Sequence, residues 1–178
     1  MNGSDLLLHS TIDAGLLVLR ATLGLYMFAH GAQKLFGWFN GPGLRGASDV
    51  MAHLGFYPPR AFAAVASVTE VASGVLVTLG ALGPVGPALM ISVMIVAMVT
   101  VHWSGGAFAM NNGIELPLLF AAGAAALALT GPGRYSLDTL LGFGLLDDPR
   151  LALAALAVGI AGGVGNLALR RRPSPATR

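Results

Sequence analysis

Cysteine is absent from this chain of 178 residues. Its absence excludes disulfides, thiolate metal sites, cysteine-held iron–sulfur clusters and any dithiol relay, so redox chemistry would have to come from a bound cofactor. Charge is almost as scarce: Asp, Glu, Lys and Arg make up 10% of the residues, against roughly 25% in a soluble domain. With 55% hydrophobic residues and a mean hydropathy of +0.74, the chain has more apolar surface than a soluble core could hide. It reads as an integral membrane protein. The formal charge of +2 is carried mainly by Arg170, Arg171, Arg172 and Arg178 in the tail, which marks a membrane-surface anchor. No basic face suited to nucleic acid exists. The residues before the first apolar run include Asp5 and Asp13 but no Lys or Arg, and the run is too long for a signal-peptide core, so it reads as a retained helix.

A spanning helix needs about 20 mostly apolar residues. Residues 14–36, 61–81, 84–103 and 114–130 meet or approach that length, and the last of these carries Pro117 in its first turn, where a missing N–H is tolerated. A fifth run, 151–169, is rich in Ala and Gly and has no internal charge. The fold class is therefore an all-α membrane protein, a four-helix bundle over residues 14–141 with a C-terminal span and a basic, disordered tail over 170–178. Only "LGALGPVGP" separates the second and third spans, which makes them a tight antiparallel hairpin. Two longer connections, 40–60 and 131–145, read as interfacial. In the first, Ser48 is placed as the N-cap of a half-helix reaching Phe56; in the second, Ser136 can cap another short helix.

Counting Lys and Arg in the short loops favours an external N-terminus and a cytoplasmic C-terminus. Lys34, Arg45, Arg60 and the four tail arginines then lie inside, opposite Arg134 and Arg150. Whichever side is which, alternation of the spans brings Lys34, His102 and Glu115 to one membrane face, where Trp38 and Trp103 join them. The two tryptophans fit an aromatic belt at the lipid–water boundary, or the wall of a site for a planar ligand.

Ionisable residues at membrane depth are costly and usually face a bundle interior, so they are where chemistry is sought. Arg20, Met27 and Lys34 recur every seven residues and share a face with Gly24 and Gly31, small residues that admit a neighbouring helix. His30 lies on the shoulder of that stripe. On the second span Ser67, Glu70, Ser73, Gly74 and Thr78 form one polar strip that must face protein. Glu70 can pair with Arg20 or Lys34 to set the bundle's register; Arg20 is the expected partner. His30 and His102 lack the pattern a bis-histidine haem would need, and no local ligand spacing supports a metal. Met90, Met94 and Met98 read as flexible packing.

The stretch "GLYMFAHGAQKLFGWF" with its following "GPG", the mid-span glutamate in "VTEVASGVLVTLG", "NNGIELPLL" and "GPGRYSLD" occur in this order and spacing. Together, over residues 14–141, they resemble the DoxX family of small bacterial membrane proteins. The resemblance implies a four-helix unit in the bacterial inner membrane and, in some members, membrane oxidoreductase components. Related subunits are associated with quinone-coupled thiosulfate oxidation or with soluble redox enzymes acting against oxidative stress. Carried over to this chain, the pattern points to Arg20, His30, Lys34, Glu70, Glu115, Arg134 and Asp138.

Three readings follow. In the first, a quinone binds between the first, second and fourth spans, His30 and Lys34 donate to its carbonyls, Glu70 or Glu115 relays protons, and Trp38, His102 and Trp103 line the pocket. A partner must supply electrons, since no GxGxxG fingerprint is present. In the second, the chain is a scaffold that anchors soluble redox proteins through the loop after Trp38 and the cap at Arg134 and Asp138. In the third, Glu70 is a mid-membrane site of an ion or solute transporter. The chain is short for a monomeric transporter, so that reading calls on homo-oligomers.

Overall fold

A computed structural model describes residues 3–143 and 148–171, with side chains from residue 8 onward. It is all-helical, with no strand among the described residues. The helices are α1 (Gly3–Phe36), α2 (Gly43–His53), α3 (Pro59–Leu79), α4 (Val85–Ala97), α5 (Glu115–Thr130), α6 (Leu137–Leu141) and α7 (Pro149–Ala168). A π-helical turn, Met98–His102, continues α4, so the apolar segment there runs over Val85–Gly105. Among the described residues, four helices are long and apolar enough to cross a membrane: α1, α3, the extended α4 and the C-terminal α7. The chain is thus a multi-pass membrane protein. At 16 residues, α5 rises about 24 Å, yet it returns the chain from the end that carries His102 to the end that carries the α3–α4 turn.

Helices α1, α3, α4 and α5 pack as a ring of antiparallel neighbours, and α7 lies outside it against α4 and α5. Their shared core is Met27, Val77, Met90, Ile91, Met94, Phe120, Ala124 and Leu127. The methionines expected to pack do so. Outward-facing residues such as Val18, Leu25, Val68, Leu119 and Val158 are exposed and apolar, the surface that lipid covers.

The α1–α3 contact sets the register. A Cβ added at Gly24 would lie 2.6 Å from the backbone nitrogen of Thr78, and one at Gly31 would lie 2.7 Å from that of Val71. These glycines, with Gly74 facing Phe28, let the two backbones touch. Ser67, Glu70 and Ser73 are buried on the facing side of α3, and Ser73 Oγ donates to the Gly86 carbonyl at 3.0 Å, tying α3 to the start of α4. The α3–α4 hairpin is tight at its turn; towards its open end the helices diverge around a cavity.

Two boundaries differ from those read in the sequence. Helix α1 begins at Gly3, eleven residues before Ala14, because nothing between them breaks a helix. Asp13 sits in this extension and accepts a hydrogen bond from the Arg134 amide at 2.9 Å. The interfacial helix begins at Gly43 behind Pro42, and Ser48 is inside it, its hydroxyl bonded back to the Leu44 carbonyl at 2.6 Å. Ser136 does cap α6, accepting from the Thr139 amide at 3.2 Å. Part of the second interfacial connection (144–147) and Arg172 and Arg178 lie outside the described residues.

Because backbone stands directly behind Gly31, Gly31→Val should lower the thermal unfolding midpoint in detergent by several degrees. Gly15→Val, where nothing lies within 4 Å of the added carbon, should leave it within a degree or two, as surface changes usually do. Equal midpoints for the two variants would contradict the α1–α3 packing.

Candidate functional site

The buried charges fall into two separate groups. Glu70 is 2% exposed, and Lys34 Nζ donates to its Oε1 at 2.5 Å; the lysine side chain remains 39% exposed. This corrects the expected Arg20–Glu70 pair. The register explains it: Gly31 lies against Val71 and Glu70 while Gly24 lies against Thr78, so Arg20 is level with Gly80. Eleven residues separate Gly31 from Arg20, about 16 Å along the helix, which is beyond the reach of any arginine.

Arg20 is instead buried at the α3 C-terminus, where its Nη2 donates to the Tyr135 carbonyl. Its guanidinium fills the space a side chain at Gly80 would occupy. Gly80 also has a positive φ of 62°, so glycine is required there twice over. The helix C-terminus favours the cation. Asp138 accepts from the Leu82 and Gly83 amides at 2.9 and 2.6 Å, and its own amide donates to the Gly80 carbonyl at 3.1 Å. The α6 cap is thereby bolted to the α3–α4 turn. Of the two cap residues named from sequence, Asp138 forms this joint. Arg134 contributes its backbone amide, which bonds to Asp13.

At the other end of the bundle a cavity of about 360 Å³ opens between α2, the first half of α3 and the C-terminal part of α4. Its walls include His30, Lys34, Glu70 and His102, brought together from three helices, with apolar surface from residues such as Met51, Phe62 and Val96. His30 also packs edge-on against Phe120, the ring centroids 6.2 Å apart. His102 Nδ1 lies 3.0 Å from the Asn112 carbonyl, which holds the end of the π-helical turn to the following loop. A π-helical turn re-aims the residues that follow it and is frequent at functional sites; here Thr100, Val101 and His102 reach the wall from it.

Three expected members are placed elsewhere. Glu115 is exposed and accepts from the Ala109 amide at 2.7 Å, closing its own loop. Trp38 packs with Phe28, Phe36 and Phe39, while Trp103 is 69% exposed. Neither tryptophan lines the cavity, since each follows the end of its helix and turns outward. Residues that sequence reasoning missed are Thr69, Thr100 and Asn166. Thr69 is adjacent to Glu70 and was legible in principle; Asn166 was not, because only the parallel packing of α7 along α4 brings it there.

The C-terminal end of α7 closes this region from outside. Arg170 Nε donates to the Leu54 carbonyl at 2.5 Å and the Arg171 amide to the Gly55 carbonyl at 2.8 Å. The α2–α3 connection is thus strapped to the end of the last span.

The fold is that of a small helical membrane protein whose bundle carries an amphipathic cavity with an ion pair in its wall. Residues 15–103 match the DoxX family, and the chain belongs to it. The match spans the first three membrane helices, including Lys34, Glu70 and His102; "NNGIELPLL" and "GPGRYSLD" lie beyond it. No curated protein and no solved structure matches the chain.

Removing the ammonium leaves a buried carboxylate without its counter-charge. Lys34→Met should therefore destabilise the protein by about 1–3 kcal/mol, between the values for exposed and fully buried pairs because the lysine is partly exposed. Lys34→Met combined with Glu70→Leu should recover most of that loss. Chemical unfolding in micelles measures both, and additive losses would show that the pair is not coupled.

Proposed function

We propose that the protein is a redox-associated membrane component that binds a quinone head group in the cavity between α2, α3 and α4. The observation that supports this reading is the cavity's composition. Four titratable side chains, His30, Lys34, Glu70 and His102, stand in a wall that is otherwise largely apolar, in a volume suited to a single ring. Lys34 and His30 supply donors for a carbonyl oxygen, Glu70 supplies an acceptor at mid-helix, and the apolar walls accept the ring and the start of an isoprenoid tail.

Conversion of a quinone to its quinol takes two electrons and two protons. The chain's part is to bind the ring and to exchange protons with it; the electrons pass to or from a soluble redox protein. Phe39, Trp103 and Met110 are exposed at the cavity's end of the bundle, and they give such a protein, or the lipid head groups, an apolar surface to meet. The Lys and Arg distribution favours a cytoplasmic location for that end and the C-terminus. A C-terminal reporter active in the periplasm would overturn this orientation.

Titrating the purified protein with a short-chain benzoquinone, followed by quenching of intrinsic fluorescence or by calorimetry, tests the site. Lys34→Ala and Ala97→Trp, the second filling the cavity from the α4 wall, should each weaken binding at least tenfold. Trp103→Phe should leave it unchanged. Undiminished binding in both cavity variants removes the quinone from this site.

A further inference from the structure

Glu70 carries a second carboxylate oxygen that the ion pair does not use. Its Oε1 receives the Lys34 ammonium at 2.5 Å, whereas Oε2 is buried and has no hydrogen-bond partner among the described residues. An ionised carboxylate oxygen only accepts, and leaving one buried without a donor costs more than leaving a neutral group so. Glu70 forms part of the wall of the 360 Å³ cavity, beside Lys34, and Oε2 itself is covered, so a ligand reaches it when the carboxylate turns towards the cavity. A ligand seated there satisfies Oε2 only if it brings a donor of its own.

We propose that the cavity selects the hydroxyl-bearing, reduced form of its ligand, a hydroquinone or similar phenolic amphiphile, with Glu70 Oε2 accepting the hydrogen bond from its hydroxyl. This rests on the quinone reading above and sharpens it. A quinone carbonyl has no hydrogen to give, so it engages Lys34 or His30 and leaves Oε2 bare. A quinol engages both sides of the ion pair: its hydroxyl oxygen accepts from Lys34 and its hydroxyl hydrogen goes to Glu70. A site built to receive a hydroxyl rejects the analogue that lacks it strongly, because its own buried acceptor is then left unpaired.

The test compares three ligands of one size on the wild-type protein under anaerobic conditions: a short-chain benzoquinol, the corresponding quinone and the quinol's di-O-methyl ether. The quinol should bind at least tenfold more tightly than either of the others. Glu70→Gln puts an amide N–H₂ in place of the acceptor, so the preference should invert, the quinone binding that variant more tightly than the quinol. Equal affinity for quinol and quinone in the wild type, or a quinol preference that survives Glu70→Gln, overturns the proposal while leaving the quinone site standing. Absence of binding by all three removes the site itself, and the proposal with it. The ether comparison needs no substitution, so it decides the matter even where the glutamine variant does not fold.

Discussion

The close approach of α1 to α3 governs everything else in this molecule. In a membrane, helices gain nothing hydrophobic from association, since lipid is as apolar as leucine, and they rely on van der Waals contact between closely spaced backbones. Gly24 and Gly31 on one helix and Gly74 on the other provide it, at distances that no side chain fits. A contact that close permits only one sliding position, because a shift of even one residue drives a side chain into backbone. The register then decides which charges meet: Lys34 reaches Glu70, and Arg20 is carried to the far end of α3.

The two charged centres that result have different characters. Arg20 and Asp138 are almost fully buried at 2% and 3% exposure, and Asp138 spends both oxygens on backbone amides of the α3–α4 turn. The arrangement ties α6 and the hairpin together, and only a small crevice adjoins Arg20. At the opposite end Lys34 and Glu70 sit in the wall of a cavity large enough for a ring. One centre closes the fold, and the other faces a space. The cavity itself follows from a mismatch in length: α1 stops at Phe36, level with the middle of α3, and α2 folds across the gap. Short α2 residues such as Ala47 pack there without filling it.

Much of the architecture was legible because it depends on local pattern. The apolar runs that became α3, α4 and α7 appeared as long, mostly apolar stretches, and the seven-residue recurrence of Arg20, Met27 and Lys34 correctly marked the packed face of α1. The strip of Ser67, Glu70 and Ser73 is buried for the reason read from it, that polar groups cannot face lipid. Ser136 was recognisable as a cap, since it precedes a short apolar run after a glycine–proline turn. Ser48 had the same appearance and is a helix-interior residue, because Pro42 opens the helix one and a half turns earlier.

What the sequence determined alone was the membrane class, the faces of the helices and the set of ionisable residues that had to be sheltered. Each of these follows from the chemistry of residues a few positions apart, through helical periodicity and the cost of charge in hydrocarbon. Partner choice was decided only by tertiary structure. Depth estimated from the edges of apolar runs matched Arg20 to Glu70, whereas the actual alignment of the helices is set by glycine contacts between segments far apart in the chain, such as Gly31 with Val71 and Gly24 with Thr78. The same holds for the cavity. Its walls come from α1, α2, α3, α4 and, through Asn166, α7. A π-helical turn directs His102 inward, while Glu115 and both tryptophans, equally plausible on a linear count, turn to loops and surface. Such directions depend on where each helix ends relative to its neighbours, and packing between distant segments sets that.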